Sequence, residues 1–331
     1  MLNALIQLPE RSVDVHLDKN SKALLNKVCQ SVDTFPASAD DSTLLDSANV
    51  LITGWGSDLY DINEVQKIPN LALIAHLGGS VKSVVTRDVI ASGVRVTQAA
   101  SVNARPVAEF TLASILLHCK QVRGWEALYR EQRSSINNRT AALSAQVGIR
   151  SKVIGIVGAS RIGRRVIDLL APHGVQILLH DPFVNAEEAT QMGVETASLD
   201  ELMARSDVIS LHQPLLPSTV KSIGREQFSL MRDDALLINT ARGRLVDHDA
   251  LIETLSNRPI HAILDVTDPE PLPDNSPLWD LPNVQLTPHI AGSMGEEVAE
   301  MTALVIEEID RFGRGEPLQH EVTLEDWDML A

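Results

Sequence analysis

Residues 153–166 read VIGIVGASRIGRRV, an apolar strand that runs through a glycine turn into a helix. A strand that must turn sharply, admit an anion to its backbone and start a helix with free amides needs glycine wherever a side chain would block the approach. Gly158 and Gly163 hold the first and third positions of G-x-G-x-x-G, and Ser160 holds the second. About 20 residues on, such a unit needs an acid at the end of the next strand to accept ribose hydroxyls. Asp181 closes the run VQILLHD, 18 residues after Gly163. Strand, turn, helix, strand and acid in this order predict a dinucleotide site. A side chain at position 160 is expected to push a pyrophosphate outward unless the turn relaxes or its hydroxyl donates to it. Position 162 is isoleucine where a G-x-S-x-G elbow needs glycine, so Ser160 is not expected to be a nucleophile.

The alternation continues beyond this unit. Apolar runs at 175–180, 208–212, 235–239, 262–266 and 284–287 are separated by helical stretches, one of them opened by the capping box of Ser198 and Glu201. Strands alternating with helices predict a parallel, doubly wound sheet covered on both faces. The first hundred residues repeat the rhythm, with runs at 50–53, 71–75 and 94–97 and helix-like segments such as SKALLNKV, and predict a second, smaller α/β unit. Residues 106–121 form a long helix candidate spanning the two, with Pro106 near its first turn, where the missing N–H costs little. Residues 296–312 have helical periodicity and stop before Gly313; a helix there that returned to the first unit would make that unit discontinuous. Residues 133–150 are polar and read as a loop or an oligomer arm.

A chain of 331 residues, 44% hydrophobic but only 3% aromatic, suits two such aliphatic domains. With 44 acidic against 28 basic side chains the net charge is −16, which argues against nucleic acid and anionic membrane as partners. Cys29 and Cys119 have no metal-ligand spacing, no H-E-x-x-H is present, and no metal site is expected. The absence of a basic leader with a long apolar core, and of any run of about 18 apolar residues, gives a cytoplasmic expectation.

Four more segments sharpen the chemistry: NARPVAE at 103–109, INTARGRLVD at 238–247, LDVTDPEPLP at 264–273 and LTPHIAG at 286–292. Together with the fingerprint they closely resemble the D-isomer-specific 2-hydroxyacid dehydrogenases, whose segments N-x-x-R-G, D-V-x-x-x-E-P and P-H-x-x-G supply Arg, Glu and His. The resemblance implies a Rossmann NAD-binding domain at 103–293 and a smaller flavodoxin-like substrate domain made of 1–102 and 294–331. It implies NAD as cofactor, a small 2-oxo or 2-hydroxy acid as substrate, and a homodimer formed through the NAD-binding domain.

By the same match Arg242, Glu270 and His289 are the catalytic set. Reducing a 2-oxo acid requires a proton at the carbonyl oxygen as hydride reaches carbon, and histidine suits that transfer near neutral pH. His289 is the candidate acid and base, Glu270 the carboxylate that would orient its ring and raise its pKa, and Arg242 the planar cation for the substrate carboxylate and carbonyl. The remaining histidines, including His118 and His212, read as packing or loop residues.

In AHLGGSVKS, Gly78 and Gly79 align with the loop whose amides hold the substrate carboxylate, as an anion-binding nest would. Ser80 departs from the family's commoner G-x-D pattern. Trp55, in the turn GWG, sits where the family often places a residue over the substrate pocket. Arg161, Ile162, Thr240, Ala241, Asp265 and Gly292 carry over to the cofactor, with Asp265 near the nicotinamide carboxamide. Asp181 followed by Pro182 and Phe183 favours NAD over NADP, because the carboxylate would repel a 2′-phosphate and no cation follows it. Two other readings share the fold. A formate dehydrogenase-like enzyme resembles this family with glutamine at the position of Glu270, and a nucleotide-sensing corepressor would act through partners, for which the compact chain offers no long disordered tails.

Overall fold

In the computed structural model of the chain, residues 2–34, 42–133, 147–327 and 330 are described. They divide into two compact units, Met1–Pro106 with Gly292–Ala331, and Val107–Ala291.

The first unit is built on β1 (Leu2–Gln7), β2 (Cys29–Thr34), β3 (Val50–Thr53), β4 (Leu73–His76) and β5 (Arg95–Gln98). All pairings are parallel, in the order β2-β1-β3-β4-β5, which is the flavodoxin-like order. Strands β3 and β4 are buried at every position, hence their apolar runs, each closed by one polar residue, Thr53 and His76. The sheet holds two strands more than the apolar runs predict. Edge strand β2, CQSVDT, buries only Cys29 and so carries no apolar run, while β1 lies in the first residues of the chain. One face is covered by helices Lys19–Val28 and Glu296–Gly313. Leu25 from the former and Met301, Val305 and Ile309 from the latter join Ala4, Ile6, Val50, Ile52, Leu73 and Ala75 in one core.

The second unit carries β6 (Val153–Val157), β7 (Gln176–His180), β8 (Glu195–Thr196), β9 (Val208–Leu211), β10 (Leu236–Asn239), β11 (His261–Leu264) and β12 (Val284–Leu286). They are parallel in the order β12-β11-β10-β9-β6-β7-β8. Counted from β6, this is the Rossmann order 3-2-1-4-5-6 extended by one strand. Strand β6 sits where the winding reverses, so its carboxyl end opens on the crevice in which such sheets bind ligands. The Ser198 and Glu201 capping box is formed, the Ser198 Oγ accepting from the Glu201 amide at 3.2 Å.

One boundary differs from expectation. The long helix runs Ala100–Cys119, so Pro106 lies inside it and not in its first turn. The proline ring removes the amide that would have bonded the carbonyl four residues back, yet it leaves the apolar face to continue: Ala108, Ile115 and Cys119 pack into the second unit's core. Packing along the helix outweighs one lost bond. Residues 134–146 of the segment read as a loop or arm lie outside the described residues. Among the described residues, no helix is long and apolar enough to cross a membrane, and no group of three or more His, Cys, Asp or Glu is placed to hold a metal.

Candidate active site

The turn after β6 is shaped by what it leaves no room for. Gly158 has φ +99°, and a Cβ there would stand 2.5 Å from the Gln213 amide nitrogen. A Cβ on Gly163 would come 2.1 Å from the Gly158 carbonyl oxygen, so the first helical turn packs directly on the glycine turn. Ser160, at φ −63° and ψ 176°, is extended backbone that any residue adopts. Its Oγ accepts from the Gly163 amide at 3.3 Å and caps helix Arg161–Leu170. The serine thus replaces the second fingerprint glycine with a helix cap. Its hydroxyl proton stays available to an acceptor outside the helix. Arg161 is exposed at the first helical position, whereas Arg164 is tied inward to the Ala159 carbonyl at 2.9 Å and to Glu188 at 2.7 Å.

Asp181 stands one residue beyond β7 and is held at both oxygens. Oδ2 accepts from the Ala159 amide at 2.7 Å, and Oδ1 accepts from the Phe183 amide at 2.8 Å. The carboxylate is therefore fixed beside the glycine turn, and each oxygen keeps a lone pair for a hydroxyl donor. His212 is buried behind the turn, bonded through Nε2 to the Ser210 hydroxyl at 2.9 Å; burial pushes its pKa down to about 3, so it is neutral.

Beyond β10, Asn239 staples the chain so that Arg242 projects from extended backbone. Its Oδ1 accepts from the Ala241 amide at 3.1 Å and its Nδ2 donates to the Arg242 carbonyl at 2.9 Å. Thr240 is buried, with its hydroxyl 3.4 Å from that of Thr111. Arg242 is half-buried; burial lowers its pKa and the charge of Glu270 opposes the shift. The guanidinium remains a cation. Behind it, a Cβ on Gly243 would stand 2.0 Å from the Thr267 carbonyl oxygen, so the arginine turn and the loop carrying Glu270 are in direct backbone contact.

His289 lies at φ +56°, a left-handed conformation rare for a non-glycine residue. Asp265, only 2% exposed, holds it there. The Asp265 carbonyl accepts from the His289 amide at 3.0 Å, while its carboxylate accepts from the amides of Ile290 and Ala291, both at 2.8 Å, and from the Thr287 hydroxyl at 2.6 Å. So clamped, the loop sets the His289 Nδ1 2.7 Å from Glu270 Oε1. Both side chains are about half exposed, at 52% and 44%. With the carboxylate ionised, Nδ1 carries the shared proton and Nε2 is left to exchange one with a ligand. Arg242, Glu270 and His289, drawn from three separate segments, share one unit.

In the first unit, a Cβ on Gly78 would stand 2.2 Å from His76 Nε2, and one on Gly79 would stand 2.5 Å from Asn103 Nδ2. His76 is buried and bonded to the Thr53 hydroxyl at 3.0 Å, and burial with the nearby His16 pushes its pKa down to about 4. The glycines thus lie over a neutral ring and an amide. Asn103 also approaches Gly292, where a Cβ would stand 3.0 Å from its Oδ1, and accepts from the Ser293 amide at 2.8 Å. Sequence reasoning gave Asn103 no role of its own; its place as first polar side chain of NARPVAE was the available signal. Trp55 is 41% exposed, its ring 5.7 Å from that of buried His16. His248, grouped by sequence with the packing histidines, touches the Glu270 loop: its Nε2 accepts from the Asp268 amide at 3.2 Å.

Residues 112–291 match the family model described as the D-isomer specific 2-hydroxyacid dehydrogenase, NAD binding domain. The chain belongs to this family. Residues 112–291 are accordingly an NAD-binding domain, and the membership agrees with the resemblance carried by the four segments and the fingerprint. The chain is 34% identical over 257 residues to the D-3-phosphoglycerate dehydrogenase of Mycobacterium tuberculosis, covering 74% of this chain and 47% of that one. It therefore spans about half the length of these relatives. With the glyoxylate reductase of Korarchaeum cryptofilum it is 31% identical over 261 residues, 78% of each chain. Among solved structures it resembles the D-lactate dehydrogenase of Aquifex aeolicus, described as complexed with NAD and lactic acid, at TM-score 0.73 and 26% identity over 95% of this chain and 96% of that one.

Proposed function

We propose that this chain is an NAD-dependent oxidoreductase that interconverts a small D-2-hydroxy acid and its 2-oxo acid. The 2.7 Å pair of His289 and Glu270, in the same unit as Arg242, carries this reading. The glycine turn that admits no Cβ, the capped helix start and the tethered Asp181 fit a dinucleotide. Gly158, Ser160, Arg161, Ile162 and Gly163 would hold its pyrophosphate and Asp181 its ribose, with Thr240, Ala241, Asp265 and Gly292 toward the nicotinamide. When bound, NAD supplies the hydride to the substrate carbon or accepts it.

The chain's own residues handle charge and proton. Arg242 binds the substrate carboxylate and polarises the carbonyl. Within the first unit, the backbone amides at Gly78 and Gly79 are suited to hold a carboxylate. His289 delivers the proton on Nε2 to the carbonyl oxygen during reduction and takes it back during oxidation. Glu270 fixes the ring through Nδ1, so that Nε2 is the nitrogen presented to the substrate. Glu270 disfavours a formate-oxidising reading, whose resemblance calls for glutamine. In the second unit, helix Val122–Gln132 buries none of its residues although it carries Val122, Trp125, Leu128 and Tyr129, which supports a homodimer through this domain; sedimentation should return a dimer mass.

A panel of 2-oxo acids, among them glyoxylate, hydroxypyruvate and pyruvate, incubated with NADH while absorbance is followed tests the reading. Turnover of at least one is expected; binding of NADH without turnover of any would point to the nucleotide-sensing alternative.

A further inference from the structure

We propose that His248 is a positioning residue for the Glu270 and His289 pair, latching the Glu270 loop only as the neutral tautomer protonated on Nδ1. The inference rests on the dehydrogenase reading for its effect on turnover, but the latch stands on geometry within one unit.

His248 opens helix His248–Asn257, directly after the N-cap Asp247, and is 9% exposed. Its Nε2 lies 3.2 Å from the Asp268 amide nitrogen, and that amide can only donate, so Nε2 must be the bare acceptor nitrogen. The single proton of the neutral ring is then on Nδ1, which lies 3.2 Å from the Val246 carbonyl and donates to it. Both ring nitrogens are satisfied in this tautomer and in no other. The loop it grips is otherwise held by the Thr267 hydroxyl on the Pro269 carbonyl at 2.8 Å and by the backbone contact at Gly243. Glu270, two residues beyond Asp268, makes the 2.7 Å contact with His289. The pair thus hangs from two anchors, Asp265 on the histidine side and His248 on the carboxylate side.

A second proton on His248 would set an Nε2–H donor against the Asp268 N–H donor and release the loop. Asp268 and Asp247 face the ring and favour that proton, as does the Val246 carbonyl, whereas burial, the largest influence, and Lys221 oppose it, and the net effect lowers the pKa. The latch therefore holds at neutral pH and opens on acidification. Glutamine at 248 could still accept from the Asp268 amide without titrating; leucine could not.

Nitrogen-15 NMR of the histidine side chains in the full chain tests the latch directly. The signal that vanishes in His248→Gln should show the Nδ1–H tautomer at pH 8 and convert to the doubly protonated form on acidification, with faster exchange of the Asp268 amide. An Nε2–H tautomer there would overturn the proposal even if leucine at 248 fails to fold. With the 2-oxo acid reduced fastest in the panel, His248→Leu should lower kcat about tenfold or more, as a displaced catalytic pair does, with KM for NADH unchanged. His248→Gln should keep kcat and lose part of the acid fall-off. Unchanged kcat and pH profile in His248→Leu would equally overturn it. A latch seen by NMR in a protein that turns over no 2-oxo acid supports the latch and removes the dehydrogenase reading.

Discussion

His289 is held in an unfavourable backbone conformation by bonds that, among the described residues, leave its Nε2 uncommitted, which is what a proton-transferring group requires. His289→Ala should lower turnover by roughly a hundredfold to ten-thousandfold, the range general acid–base catalysis supplies. NADH binding, measured by fluorescence titration, should change little; near-normal activity of this variant at every pH would remove the proposed chemistry. Arg242→Lys replaces a planar fork with a point charge and should cost kcat/KM about thirtyfold, equivalent to about 2 kcal/mol for charge-assisted bonds. At Ser160 two effects separate. Ser160→Ala loses the cap and should cost about 1 kcal/mol of stability, while Ser160→Gly costs only a few tenths. By removing the Cβ and freeing the Gly163 amide, Ser160→Gly should also bind NADH several-fold more tightly. Equal dissociation constants for the three proteins would show that position 160 does not face the phosphates.

At the scale of elements, the geometry of the proposed site depends on loops tied down by buried polar groups. Asp265 satisfies three donors of the His289 loop through its carboxylate. Asp265→Ala would leave the buried Ala291 amide unpaired, at about 1–3 kcal/mol, together with the part-buried Ile290 amide, and should depress both the thermal midpoint and kcat; a variant as stable as the parent would contradict the clamp. Gly163→Ala sets a Cβ against the Gly158 carbonyl, which as backbone cannot turn aside, so NADH affinity and stability should fall together. Elements differed in how plainly the sequence announced them. Strands buried on both faces, such as β3, β4 and β9, show as apolar runs, whereas edge strand β2 and two-residue β8 do not, because sheet edges bury little. The helix at Ala100 starts before its proline because packing of its far end decides the element, which local propensity does not see.

For the whole molecule, buried neutral histidines set the response to acid. Burial holds His16, His76 and the half-buried His118, on which His261 also acts, at about 4 and His212 at about 3, below the ordinary value of 6.5. The unfolded chain binds protons at these sites between pH 6.5 and 4 while the folded chain does not, so the stability they provide is complete above 6.5 and is lost as pH falls through that window. Denaturant midpoints should be flat from pH 8 to 7 and drop steeply toward pH 4.5; a flat profile through this range would mean that the rings are not buried as described.

The sequence by itself determined the alternating α/β class and the strand, glycine turn and helix of the nucleotide unit, because each depends on residue type at short spacing along the chain, whereas Arg242, Glu270 and His289 came from the resemblance of their segments to the family. Strand order, the serine cap within the fingerprint, the clamp of Asp265 and the contacts of Asn103 and His248 depended on tertiary structure. These last are bonds between segments distant in the chain. Whether a buried polar side chain is packing or support is decided by which donor the fold brings to it.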